Sequence, residues 1–110
     1  MKCGEIWSAV FGEPVGHEYT KDRPVLIIES DKLLNITNVV TILPLTSKSK
    51  NYSDDIVVVK DENNNLWYDS VIKVHYIQSF DKSRFIRKIG EVDEETIKRV
   101  KEYLRKHFDL

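Results

Sequence analysis

A single cysteine, Cys3, in 110 residues excludes an intrachain disulfide framework and suits a reducing compartment. Its thiol reads as a small buried hydrophobe before it reads as a nucleophile. The formal net charge is −1, so the chain lacks the global basic field that gathers bulk nucleic acid, and any polyanion site must be local. No apolar run approaches the length of a membrane span. No basic stretch followed by an apolar one marks a signal peptide, so the expected location is the cytoplasm, off the membrane. Zinc-ligand spacing, a His-Glu-X-X-His motif and a Gly-rich phosphate loop are all missing. Asp54-Asp55 is a pair of acids at a strand start, not a metal cage. No metal and no cofactor is expected. There is no fixed-period repeat, and Asn63-Asn64-Asn65 is a turn.

What is present fits one domain over residues 1–110. Hydrophobic residues make up 41% and charged residues 32%, enough for a single core under a solvated surface. Gly4 to Phe11 alternates as a first strand. Gly12 to Asp22 is a long loop, and long ordered loops are often functional. Pro24 to Glu29 is a second strand whose unbroken apolar run implies burial on both faces. Pro24 is expected at that strand's first position, because it cannot donate to a ladder. Val39 to Leu45 and Asp55 to Lys60 are further strands, with a turn over Asp61 to Asn65 that uses the left-handed tolerance of Asn. Leu66 to Ser79 holds one or two strands, on which Lys73 and His75, two apart, are expected to share a face. Asp81 can cap a short helical turn through Phe85, and Gly90 is expected to end that region. Asp93 then caps the clearest helix, with Glu94 and Glu95 at the positive end of its dipole. Ile97, Val100, Leu104 and Phe108 form its apolar stripe; Lys98, Arg99, Lys101, Arg105 and Lys106 read as its solvated face. Short strands with one terminal helix predict a mainly β fold, a small, strongly curved antiparallel sheet or barrel.

Two apolar runs are bounded by polar groups that can meet at one rim of that sheet. Arg23 stands just before the first run, and Thr46 and Ser47 stand just after the second. With suitable pairing, a permanent cation, two hydroxyls and the Glu18 carboxylate face one phosphate. Structural alternatives sit beside each residue. Arg23 can form a surface ion pair with Glu18 or Asp22, Thr46 can bond its own backbone at a strand end, and His17 can simply be solvated.

In order and spacing, Gly4-Glu5-Ile6-Trp7, Gly16-His17-Glu18, Arg23-Pro24-Val25-Leu26-Ile27 and Leu45-Thr46-Ser47 resemble the MazF/PemK/Kid family of toxin ribonucleases. Asp69-Ser70-Val71-Ile72, Asp81-Lys82-Ser83-Arg84 and the closing helix extend the likeness over nearly the whole chain. The resemblance implies an SH3-like β-barrel with a C-terminal helix, acting as a homodimer. It implies metal-independent cleavage of single-stranded RNA and inhibition by a cognate antitoxin whose disordered C-terminal segment folds onto the toxin. The same fold serves CcdB-type gyrase inhibitors, so a non-nucleolytic binding protein is the alternative.

Carried onto this chain, the resemblance makes Arg23 the stabiliser of charge on the phosphorane, Thr46 a hydroxyl donor, and Ser47, His17 and Glu18 contacts to RNA. Where some members carry an Arg-X-Asp acid–base pair, this chain has Lys73-Val74-His75. His75 is the acid–base candidate at that position and Lys73 an RNA contact, although the departure also suits a weak or inactive nuclease. Lys48, Lys50, Tyr52, Arg84 and Arg87 are weaker candidates for phosphate and stacking contacts. Trp7 and Trp67 are expected as core or interface anchors in preference to base platforms.

Overall fold

A computed structural model describes residues 1–11, 21–47 and 56–110 (for Lys21, the backbone only). Among the described residues, seven strands and two helices follow one another: β1 Glu5–Phe11, β2 Lys21–Ile27, α1 Asp31–Leu34, β3 Val39–Thr46, β4 Ile56–Val58, β5 Ser70–Ile72, β6 Gln78–Asp81, β7 Phe85–Glu91 and α2 Glu94–His107. The sheet runs β4-β5-β3-β2-β1-β7, with β6 also paired to β3. Every ladder is antiparallel. The mainly β fold with a terminal helix is the one expected.

The unbroken run in β2 is buried on both faces, as its pattern predicts: Val25, Leu26 and Ile27 have no exposure. Side chains of a strand alternate between faces. Leu26, Leu43 and Leu45 accordingly join one core with Ile6, Ile56, Ile72 and Val100, while Val25, Ile27, Val40 and Ile42 join a second with Leu34 and Phe80. Helix α2 closes the first core. Val100 is wholly buried, Ile97 and Leu104 pack beside it, and the five predicted basic positions of its outer face are exposed. Asp93 caps α2 by accepting from Thr96 N–H at 2.8 Å. The Thr96 side chain and N–H hold the Asp93 carboxyl below its ordinary value. Phe108 lies past the last helical turn and is 51% exposed, so the apolar stripe stops at Leu104.

Two prolines mark where the sheet changes partner. Ile28 N–H donates to the Thr41 carbonyl, so the Pro24 nitrogen, four residues back, also faces β3. The β2–β3 ladder ends at Val25↔Pro44, one residue short of needing a donor there. Pro24 is therefore the fourth residue of β2 and not its first, its other edge held by Ser8 of β1. On β3, pairing with β6 ends at Ile42↔Gln78 and pairing with β5 begins at Leu45↔Ile72. Pro44 occupies the gap, where its carbonyl accepts from Lys73 N–H at 2.9 Å.

Two further expectations are corrected. Lys73 and His75 do not share a strand face: β5 ends at Ile72, and Val74–Tyr76 is a 3-10 turn, whose rotation separates side chains two apart. Gly90 does not end a helical region but lies inside β7. A Cβ there would come within 2.4–2.5 Å of the Asn63 and Asn64 carbonyl oxygens. The turn after β4 thus packs directly on β7, tied by Glu91 N–H to the Asn63 carbonyl and by Asn65 Nδ2 to the Ile89 carbonyl at 3.0 Å. These bonds draw together the two ends of the sheet path without a strand ladder between them.

Candidate active site

Beyond Val25↔Pro44 the β2 and β3 backbones no longer pair, and a cavity of about 480 Å³ opens between them. Continuing that register by two residues sets Arg23 opposite Thr46 on one face. Arg23, Thr46 and Ser47 all line the cavity. Leu45, Leu66 and Ile89 supply apolar lining, and Ser70 of β5 a further hydroxyl. Arg23 is exposed, its guanidinium carbon 5.9 Å from the centre of the Phe11 ring. That cation–π contact uses the face of the guanidinium and leaves its in-plane N–H groups for an anion. A cavity lined by an arginine, two residues with hydroxyl groups and apolar side chains has the chemistry to receive a phosphodiester.

The remaining expected residues divide into those outside the described residues and those placed away from this cavity. His17, Glu18, Lys48, Lys50 and Tyr52 lie outside the described residues. Lys73 caps the 3-10 turn and is half-buried. His75 is on the α2 side of the molecule: its Nε2 and the Tyr103 hydroxyl are 2.7 Å apart, and its ring meets His107 edge-on at 5.5 Å. Neither Lys73 nor His75 lines the Arg23 cavity. Arg84 is engaged structurally, its guanidinium 5.0 Å over the Phe80 ring and Nη1 3.4 Å from the Val10 carbonyl.

The tryptophans part company. Trp7 is an anchor: half-buried, it donates from Nε1 to Glu5 Oε1 at 2.9 Å and packs edge-on against Phe85. Burial opposes ionisation of Glu5, but the Trp7 and Lys2 N–H groups and the Lys88 ammonium at 3.1 Å outweigh it and hold the carboxyl below its ordinary value. Trp67 is no core residue. It is 82% exposed, with Tyr68 beside it 68% exposed, and both line the Arg23 cavity. Sequence reasoning missed this wall, because a residue in a loop has no periodicity to say which side it faces.

The chain matches the family model of PemK-like, MazF-like toxins of type II toxin–antitoxin systems over residues 2–108. It is 30% identical to the endoribonuclease MazF2 of Mycobacterium bovis, covering 96% of this chain and 95% of that one. It is 28% identical to the endoribonuclease EndoA of Bacillus subtilis, covering 96% and 91%. The Deinococcus radiodurans MazF structure from a MazE–MazF crystal superposes with a TM-score of 0.83 over 100% of this chain and 96% of that one, at 20% identity.

Proposed function

This chain belongs to the family of PemK-like, MazF-like toxins of type II toxin–antitoxin systems, and from that premise we propose that it is an endoribonuclease that cuts single-stranded RNA through the ribose 2′-hydroxyl. The 2′-oxygen attacks the adjacent phosphorus and loses its proton to a base. The bond from phosphorus to O5′ breaks, and O5′ gains a proton. The products are a 2′,3′-cyclic phosphate and a 5′-hydroxyl, and no external nucleophile or metal enters the balance. Charge builds on the non-bridging oxygens as the phosphorane forms. Arg23 donates a two-pronged N–H fork to them, Thr46 donates its hydroxyl to the same group, and Ser47 adds a second hydroxyl. His17 and Glu18 are the further RNA contacts that the family likeness carries onto this chain. Lys73 and His75, outside this cavity, carry no step in one copy of the chain.

The observation that supports this most directly is that Arg23 and the Thr46-Ser47 pair, distant from it in sequence, line one cavity in a chain of this family. The partners that follow are single-stranded RNA, a second copy of the chain, and a cognate antitoxin whose disordered C-terminal segment covers the Arg23 rim. The test is end-labelled single-stranded RNA incubated with the protein in excess chelator. Fragments ending in cyclic phosphate, with DNA of the same sequence intact, are expected. RNA left whole by folded protein would defeat the proposal.

A further inference from the structure

The Leu66–Ser70 segment holds two large aromatic side chains in solvent and is nonetheless firmly pegged. Asp61 Oδ1 accepts from Asn63 and Asn64 N–H at 2.8 and 2.7 Å. Asn64, 1% exposed, accepts through Oδ1 from Asp61 and Leu66 N–H and donates from Nδ2 to the Val59 carbonyl. Asn65 takes the left-handed conformation at φ 53°, which Asn tolerates better than most residues. Past the aromatics, Asp69 accepts from Lys60 N–H at 2.9 Å, and the Ser70 hydroxyl donates to the Tyr68 carbonyl at 3.0 Å. Leu66 packs on the first core. The backbone on both sides of Trp67 is thus fixed before any ligand arrives, so little ordering remains to be done on binding.

An indole 82% exposed on so fixed a loop lines the same cavity as Arg23, Thr46 and Ser47, so a flat π-face and the groups suited to an anion border one space. We propose that Trp67 is a stacking platform for a base flanking the scissile phosphate, with Tyr68 extending it, so that this loop contributes to choice of RNA substrate. The proposal rests on reading the Arg23 cavity as the phosphate site. Stacking suits single-stranded RNA, whose unpaired bases are free to splay, and every base offers a face to the ring. Trp67 is a positioning and specificity residue: it grips the strand and moves no proton.

The test compares wild type, Trp67→Ala and Trp67→Phe on a single-stranded oligoribonucleotide carrying one deoxyribose at the cleavage position found by end-mapping, so that it binds uncut. A second oligonucleotide has an abasic residue beside that phosphate. Trp67→Ala should weaken binding of this oligonucleotide on the order of 5- to 100-fold and, on the all-ribose RNA of the same sequence, raise KM with kcat largely kept, while Trp67→Phe recovers most of the affinity. The abasic substitution should weaken wild type by a similar factor and cost Trp67→Ala little more. Unchanged affinity in Trp67→Ala, or losses from ring and base removal that simply multiply, would overturn the platform. So would a Trp67→Ala variant that sediments as a monomer where wild type is dimeric, with its RNA loss blind to the flanking base; Trp67 would then be a contact between copies. Wild type that binds the intact-ribose RNA in a Trp67-dependent way but never cuts it would uphold the platform and defeat the nuclease, so the two failures are distinguishable.

Discussion

Trp7 and Trp67 give the same indole to two regions built in opposite ways. Around Trp7 the ring packs edge-on against Phe85 and the N–H is given to Glu5, so both its apolar and its polar parts serve the fold. Around Trp67 the order is kept by small polar side chains, Asp61, Asn64, Asn65 and Asp69, and the aromatic surface is left outside. Packing makes an element rigid by covering it. Side-chain to backbone hydrogen bonds make a loop rigid while leaving its large residues available. The second strategy is the one found beside the Arg23 cavity.

The strongest way to sharpen the contrast is at the cavity itself. Arg23→Ala should lower RNA cleavage by ~10²-fold or more with an unchanged unfolding midpoint, since Arg23 is exposed; cleavage at the wild-type rate by the folded variant would take Arg23 out of the site. Next comes Gly90→Ala, which forces a Cβ into the Asn63 and Asn64 carbonyls. It should cost about 1–3 kcal/mol in denaturant unfolding and disturb the Trp67 loop but not the Trp7 side, so near-native stability would show that the loop does not rest on β7.

A smaller effect is expected at Glu5→Gln, about 1 kcal/mol near neutral pH from the lost ionic hydrogen bond to Lys88. The folded Glu5 pKa is depressed. Its contribution is therefore present above the ordinary carboxylate pKa and is lost as pH falls through the folded value. Thermal unfolding from neutral to acid pH should flatten in Glu5→Gln; an identical acid limb in both proteins would contradict this. Last is His75→Ala. A general acid or base is worth about 10²–10⁴-fold, and an imidazole set against Tyr103 and outside the Arg23 cavity should cost far less. A hundredfold loss in a folded variant would return His75 to the reaction and require a second copy to bring it there.

Legibility followed the range of the cause. The double-sided burial of β2 and the Asp81 and Asp93 caps were readable because each depends on neighbours a few positions away. The second half of the region after Asn65 was not. Val74–Tyr76 has a strand-like alternation but forms a 3-10 turn, because β3 has already given its pairing edge to β5 at Leu45–Thr46 and to β6 from Ile42 back to Val39. β7 was hidden for a related reason: Arg87 and Lys88 interrupt its apolar pattern, and its pairing with β1 contains bulges.

By itself the amino-acid order determined the strands up to β4, the terminal helix, the family likeness, and the candidacy of Arg23, Thr46 and Ser47, since periodicity, capping and motif spacing act along the chain. Only the tertiary structure decided that Trp67 joins Arg23 at one cavity and that His75 turns to Tyr103 instead. Those outcomes depend on where the β2–β3 ladder stops and on a turn seated against Gly90 from another strand, which are contacts between segments that no local pattern records.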